Sequence, residues 1–326
     1  MKGFSILTIV LMHLLQMHIT ELPSIVRTAS SIGGSGVHVF LLCSGFGLYY
    51  SYMKRKINFI EFIKRRFKKI YIPYVIVILV SALFPFMYKY SDKVLAVLSH
   101  VFLFKMFIPK YEQSFGGQLW YMSTIIQFYL AFIPLCKLKE KYGTNKFLMG
   151  TFLTSVLWWI LIAVLGLESE RVWSSFFLQY LWEFSLGMCI ANYLYNGSNI
   201  VIRTKYMIPT SVICLSITVA AVLAGGIFTV FNDVTSLIGY SGIALTIYMI
   251  TWLEPVKKLI MKISTFSYEW YLIHILVFSC VFYVLAPAGS FAQLIVGLIA
   301  FGLSIIVAYG YGRMINIIMN CSKCQD

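Results

Sequence analysis

The sequence predicts an all-α integral membrane protein, a polytopic bundle of about ten transmembrane helices with both termini cytoplasmic. Three observations predict it. The chain is 60% hydrophobic and only 12% charged, against about 25% charged residues in a soluble domain, and its mean hydropathy is +0.83. Its apolar residues are gathered into runs long enough to cross a bilayer. Its basic residues cluster in the short loops between those runs, on alternate sides.

In chain order the spans fall near 3–20, 36–53, 70–88, 118–136, 147–166, 175–195, 206–228, 235–253, 267–286 and 291–315. A further apolar stretch, 94–108, is interrupted by His100 and Lys105 and reads as a re-entrant or interfacial segment. Basic residues test this layout. Of the 26, only Arg27, Lys89, Lys93, Lys105, Lys110 and Arg171 are left outside. Lys2, the 54–69 and 137–146 loops, Arg203, Lys205, Lys257, Lys258, Lys262, Arg313 and Lys323 all fall inside. A span at 94–108 would invert everything downstream.

The net charge of +14 would suit a nucleic-acid binder, but its confinement to short loops is an orientation signal, and no nucleic-acid partner is expected. The first run is no signal peptide, because Gln16 and His18 interrupt the end where small residues would mark cleavage. No internal repeat is visible, and residues 1–326 read as one transmembrane domain without an appended soluble one. Most of the seven cysteines sit inside apolar runs as small hydrophobes, and Cys321–Cys324 is a single C-x-x-C without a second pair. No metal is expected.

Lys2 and His13 are eleven positions apart, about three helical turns, so they share one face roughly 16 Å apart along the axis. Lys2 then sits at the membrane edge and His13 near the midplane of a layer about 30 Å thick. An imidazole there is costly unless it meets water or a partner, which marks it as functional; the plain alternative is a hydrogen bond to a neighbouring helix. His18 is turned about 140° from His13 and belongs to the outer mouth.

The glycine-rich stretch Gly33–Gly36 leads through His38 and Phe40 to Ser44, Gly45, Phe46 and Gly47. Ser44 lies roughly 12 Å into its helix, close to the depth of His13. The glycines either let helices approach closely or open room for a substrate. The loop from Lys54 to Lys69 carries more charge than orientation needs. Arg65, Arg66 and Lys69, just before a span, are placed to grip phosphate, or else to face anionic lipid. Glu183, deep in its helix, needs a partner; it orients a catalytic group, acts with His13, or is a structural hydrogen-bonded acid. His274, similarly deep and flanked by Tyr268 and Tyr271, reads as packing.

In order, these elements resemble the acyltransferase family 3 proteins, integral membrane enzymes that move acyl groups onto exported glycans, lipids and other acceptors. That family carries an arginine, ten intervening residues and a histidine in its first helix; Lys2 and His13 are similar, with Lys for Arg. Gly36-Val37, Phe40 and Ser44-Gly45-Phe46 resemble its second helix, with His38 where an acid is common and Leu41 for a second Phe. Arg66 to Ile70 with Pro73 resembles its basic loop, and Leu119-Trp120-Tyr121 through Gln127-Phe128-Tyr129 its Leu-Trp-Tyr helix. Glu183-Phe184 with Gly187, and Ser267-Tyr268 with Tyr271 to His274, are similar to two later elements.

The resemblance implies a membrane O-acyltransferase of a bacterial plasma membrane, with no bound cofactor and acyl-CoA, most often acetyl-CoA, as co-substrate. His13, Lys2 and Glu183 would be catalytic; Arg65, Arg66 and Lys69 would bind the donor; Ser44, Gly45, Phe46, His38, Trp120 and Tyr121 would line the substrate pore. The acceptor would be a cell-envelope glycan or glycolipid. The rival from another class is a secondary transporter or exporter of such a glycan, which ten spans and a polar midplane would also suit. Absence of a repeat and few intramembrane carboxylates argue against it.

Overall fold

A computed structural model of the chain describes residues 1–88, 92–198, 204–250 and 253–321. Lys89, Arg203, Lys323 and Cys324, all used in the sequence argument, lie outside the described residues. The described chain is helical throughout, without a strand. Its α-helices are α1 (Lys2–His18), α2 (Ser24–Ser31), α3 (Gly36–Lys54), α4 (Phe59–Arg66), α5 (Ile72–Ser81), α6 (Lys93–Val101), α7 (Trp120–Leu165) and α8 (Arg171–Ser174). They continue with α9 (Leu181–Tyr195), α10 (Thr204–Ala224), α11 (Phe228–Phe231), α12 (Asp233–Met249), α13 (Glu254–Ser264), α14 (Ser267–Leu285) and α15 (Ser290–Cys321).

Among the described residues, five helical stretches are long and apolar enough to cross a membrane: Ser24–Lys54, Gly117–Leu165, Lys205–Ala224, Ser267–Leu285 and Ser290–Met319. The Gly117–Leu165 stretch is two arms. Gly143, at φ 75° and ψ 170°, breaks α7 between the runs expected near 118–136 and 147–166. Glycine alone takes that backbone conformation without a steric cost. The expected run at 70–88 is helical only to Ser81, because Pro85 follows within one turn and cannot continue the ladder. On its other side α5 runs without interruption through a π-helical turn, Phe67–Tyr71, into α4. The one α-helix of the 94–108 stretch is α6, nine residues or about 14 Å long and too short to span, followed by a 3₁₀ turn at Lys105–Phe107. Its polar groups are satisfied internally. His100 pairs Nδ1 with the Tyr74 hydroxyl at 2.7 Å and Nε2 with Ser114 Oγ at 2.9 Å, and Lys105 donates to the Gly116 carbonyl.

Helices pack closely where glycines remove side chains. Gly45 on α3 lies against Phe184 of α9, and Gly187 on α9 lies against Leu42 of α3. A Cβ on Gly45 would lie 2.0 Å from the Phe184 carbonyl oxygen, and one on Gly187 would lie 2.1 Å from that of Leu42. This contact locks α3 to α9, while α14 packs on α15 and α10 on α12. An aromatic core of Phe62, Phe128, Phe132 and Phe184 joins α4, α7 and α9. Cys43, Cys136, Cys189, Cys214 and Cys280 are free thiols, as expected of small apolar side chains.

Candidate active site

A cavity of about 1000 Å³ runs between α1, α3, α7, α12 and α14. Its axis follows α1, because Lys2 and His13 both line it, about 16 Å apart on one helix face. Arg66 and Lys69 join Lys2 at one end. The π-helical turn after Arg66 widens the helix there. The guanidinium of Arg66 lies over the rings of Phe62 and Tyr129, at 5.4 and 6.0 Å, and its Nε is buried without a partner. Burial pulls the Lys69 ammonium below the usual lysine range, and the nearby charges of Arg66 and Lys2 lower it further, against the pull of Glu269. Ser264 and Thr265, at the end of α13, and Ser267, the first residue of α14, line the same end. Three cations and three hydroxyls thus gather at this end, with Glu269 the one carboxylate beside them.

Arg65 departs from the expected donor grip. It projects outward, ion-paired with Glu61 one turn back on α4, and does not reach the cavity. Arg65 and Arg66 are neighbours, so the roughly 100° step of a helix sends one in and the other out.

At mid-depth, His13 Nδ1 lies 2.9 Å from His274 Nε2, and the two rings meet edge to edge, 19° from parallel, with centroids 5.1 Å apart. His274 is fully buried, and its Nδ1 lies 3.0 Å from the Trp270 carbonyl oxygen. The partners settle the hydrogens. A carbonyl only accepts, so His274 Nδ1 carries the hydrogen and donates. In the neutral ring Nε2 is then an acceptor, and it takes the Nδ1–H of His13. His13 Nε2 is left with its lone pair free. The expectation that His274 merely packs is therefore corrected: it sets the tautomer of His13. A shared depth on α1 and α14 was the sequence signal.

Glu183 is fully buried and accepts a hydrogen bond from His38 Nδ1 at 2.7 Å, so its partner is His38 on α3 and not His13. The other ring nitrogen of His38 faces Asp233 Oδ1 at 3.9 Å, and Gln179 Nε2 donates to Asp233 Oδ2 at 2.8 Å. His38, Glu183 and Asp233 each bring one ligand atom within 4.8 Å of the others. A divalent cation would fit this set only by displacing the His38–Glu183 hydrogen bond. Asp233, Gln179 and Arg171 were not singled out in the sequence. An acid at the head of an apolar run was the available signal.

Of the remaining expected pore residues, Ser44, His38, Trp120 and Tyr121 line the cavity. Gly45 and Phe46 do not. Gly45 is spent on the α3–α9 contact, and Phe46 stacks on Tyr50 with centroids 5.8 Å apart. His18 packs against Phe278 and Phe282, away from the cavity.

The model of a family described as "Acyltransferase domain" matches residues 1–313. The chain belongs to acyltransferase family 3. No curated protein and no solved structure matches it. This acyltransferase is thus a multi-pass membrane enzyme whose cavity joins a cationic end, a paired imidazole and a polar far end carrying Arg171, Thr229 and Asp233.

Proposed function

We propose that the acyltransferase transfers an acyl group, acetyl in the first instance, from acyl-CoA to a hydroxyl of a cell-envelope or exported glycan, with His13 as general base. The observation that carries this reading is the chain His13 Nδ1–H to His274 Nε2 and His274 Nδ1–H to the Trp270 carbonyl, which leaves His13 Nε2 as the proton acceptor. The phosphates of the donor rest against Lys2, Arg66 and Lys69, and its thioester arm extends along α1 toward His13. No resident cofactor is invoked, and acyl-CoA is a substrate.

In the reaction, His13 Nε2 takes the hydroxyl proton as the acceptor oxygen attacks the thioester carbonyl carbon. The tetrahedral adduct then expels the coenzyme A thiolate, which takes the proton back from His13. The ester is formed and the imidazole returns neutral. Placing the donor end in the cytoplasm follows the positive-inside distribution. It gives ten spans in a bacterial plasma membrane, both termini in the cytoplasm and an acceptor arriving from outside.

The test is acetyl transfer by the purified protein in nanodiscs, without any ion gradient, read as coenzyme A release. His13→Ala is expected to lower turnover about 10²–10⁴-fold, the usual share of a general base. Near wild-type turnover in a folded His13→Ala protein would overturn this mechanism. Vectorial glycan movement without coenzyme A release would instead favour transport.

A further inference from the structure

Beside the main cavity lies a smaller chamber of about 350 Å³. Arg171, Tyr180, Thr229 and Asp233 line both spaces, so they form its neck. Its volume is at the lower end of small-molecule sites, about 300–1,000 Å³. Its wall is almost wholly polar. Glu112, Glu168, Gln179 and Asp233 face it, and only Val230 is aliphatic.

The chamber has acceptors in want of donors. Gln179 is 3% exposed; its amide nitrogen is committed to Val230 and Asp233, and its Oε1 is buried without a partner. Glu168 Oε2 is likewise buried and unpartnered. A buried acceptor left unpaired is unfavourable, and a ligand carrying hydroxyl groups relieves it. Charge narrows the ligand further. Three carboxylates face one guanidinium, and that guanidinium is already engaged. Arg171 Nε lies 4.0 Å from Glu112 Oε1, and its head group covers the Trp120 ring at 5.4 Å. An anionic ligand would meet repulsion here. Tyr180, which lines both spaces, is held at the neck by stacking on Trp120 at 5.9 Å.

We infer that the smaller chamber is the acceptor site and takes a neutral, polyhydroxylated sugar ring, with Asp233 at the neck receiving the hydroxyl nearest the reaction cavity. The inference deepens the acyl-transfer reading and rests on it for the acceptor's role. Sugar binding itself stands on the chamber alone. An acidic sugar is excluded by the same carboxylates that hold a neutral one.

The experiment is saturation-transfer NMR on the full chain in nanodiscs, with methyl glucoside and glucuronate as separate probes and no acyl donor. Methyl glucoside is expected to give transfer and glucuronate none. Gln179→Leu is expected to weaken methyl glucoside binding about three- to ten-fold, the loss of one neutral hydrogen bond, and Glu168→Leu more than about ten-fold, the loss of one charge-assisted hydrogen bond. Asp233→Asn disturbs the His38 cluster directly and Gln179→Leu removes a hydrogen bond to Asp233, so Glu168→Leu carries the test and Gln179→Leu supports it, with thermal unfolding confirming the fold of both. Absence of transfer to methyl glucoside would overturn the inference. So would equal binding of glucuronate, or unchanged binding in both folded variants. If acetyl-CoA is turned over but methyl glucoside does not bind, the chamber assignment fails while acyl transfer stands. Binding without turnover of acetyl-CoA fails the acyl-transfer reading instead.

Discussion

Replacing His274 with Phe keeps a ring on α14 but removes the nitrogen that receives His13 Nδ1–H. Two consequences follow. His13 loses the partner that fixes its tautomer, and the population with Nε2 bare and aimed at the cavity falls. The orphaned N–H then seeks water or turns the ring. Partners that orient a functional histidine typically contribute about 10–100-fold, or roughly 1.4–2.7 kcal/mol of barrier at 1.36 kcal/mol per tenfold. The expected result for His274→Phe is a fall of that size in kcat, with the KM for acetyl-CoA within about twofold, since the phosphate end lies about three turns away along α1. His274→Gln separates orientation from packing. Its amide oxygen accepts the same hydrogen, so it should recover much of the lost rate despite fitting the buried site less well than Phe. In a double-mutant cycle, His274→Phe should add little to His13→Ala, because both act through one proton acceptor. The assay is coenzyme A release by purified variants of equal thermal stability. Wild-type kcat in His274→Phe, or a ranking of Phe above Gln, would refute the tautomer argument and return His274 to packing.

Other outcomes follow from the same geometry. Arg66→Gln with Lys69→Gln should raise the KM for acetyl-CoA well beyond tenfold, at about 1.5–3 kcal/mol per charge-assisted bond, whereas outward-facing Arg65→Gln should stay within about twofold. Donor affinity should decline with rising pH earlier than an ordinary lysine would allow, because the lowered Lys69 loses its binding charge at lower pH; Lys69→Arg should flatten that decline, as donor titrations across pH will show. Gly45→Ala drives a methyl group to 2.0 Å from the Phe184 carbonyl and should destabilise the fold by about 1–3 kcal/mol or more, while Gly47→Ala, with nothing within 4 Å, should be neutral or slightly stabilising in thermal unfolding. Cysteine-accessibility labelling should place Lys141 and Lys258 in the cytoplasm and Glu168 outside; an outside signal at position 258 would overturn the ten-span arrangement.

The sequence by itself determined what is local. Hydropathy and the scarcity of charge establish an all-helical membrane chain, because only helices satisfy a backbone in lipid from within one segment. The period of α1 puts Lys2 and His13 on one face, and both line the cavity. The rejection of 94–108 as a span agrees with the nine residues of α6. Tertiary structure alone decided what each face meets. His13 finds His274 across 261 positions, and Glu183 finds His38 across 145. His13 and Glu183 were both visible as residues in need of a partner, yet helix periodicity says nothing about which helix lies opposite. The same limit explains Arg65 and Gly45. Their residue types suited the expected roles, but the rotation of α4 turned one away from the cavity, and the approach of α9 spent the other on packing. Depth and face are properties of one helix, readable from its period; partnership belongs to the packing of several, and is fixed only when their side chains compete for the same space.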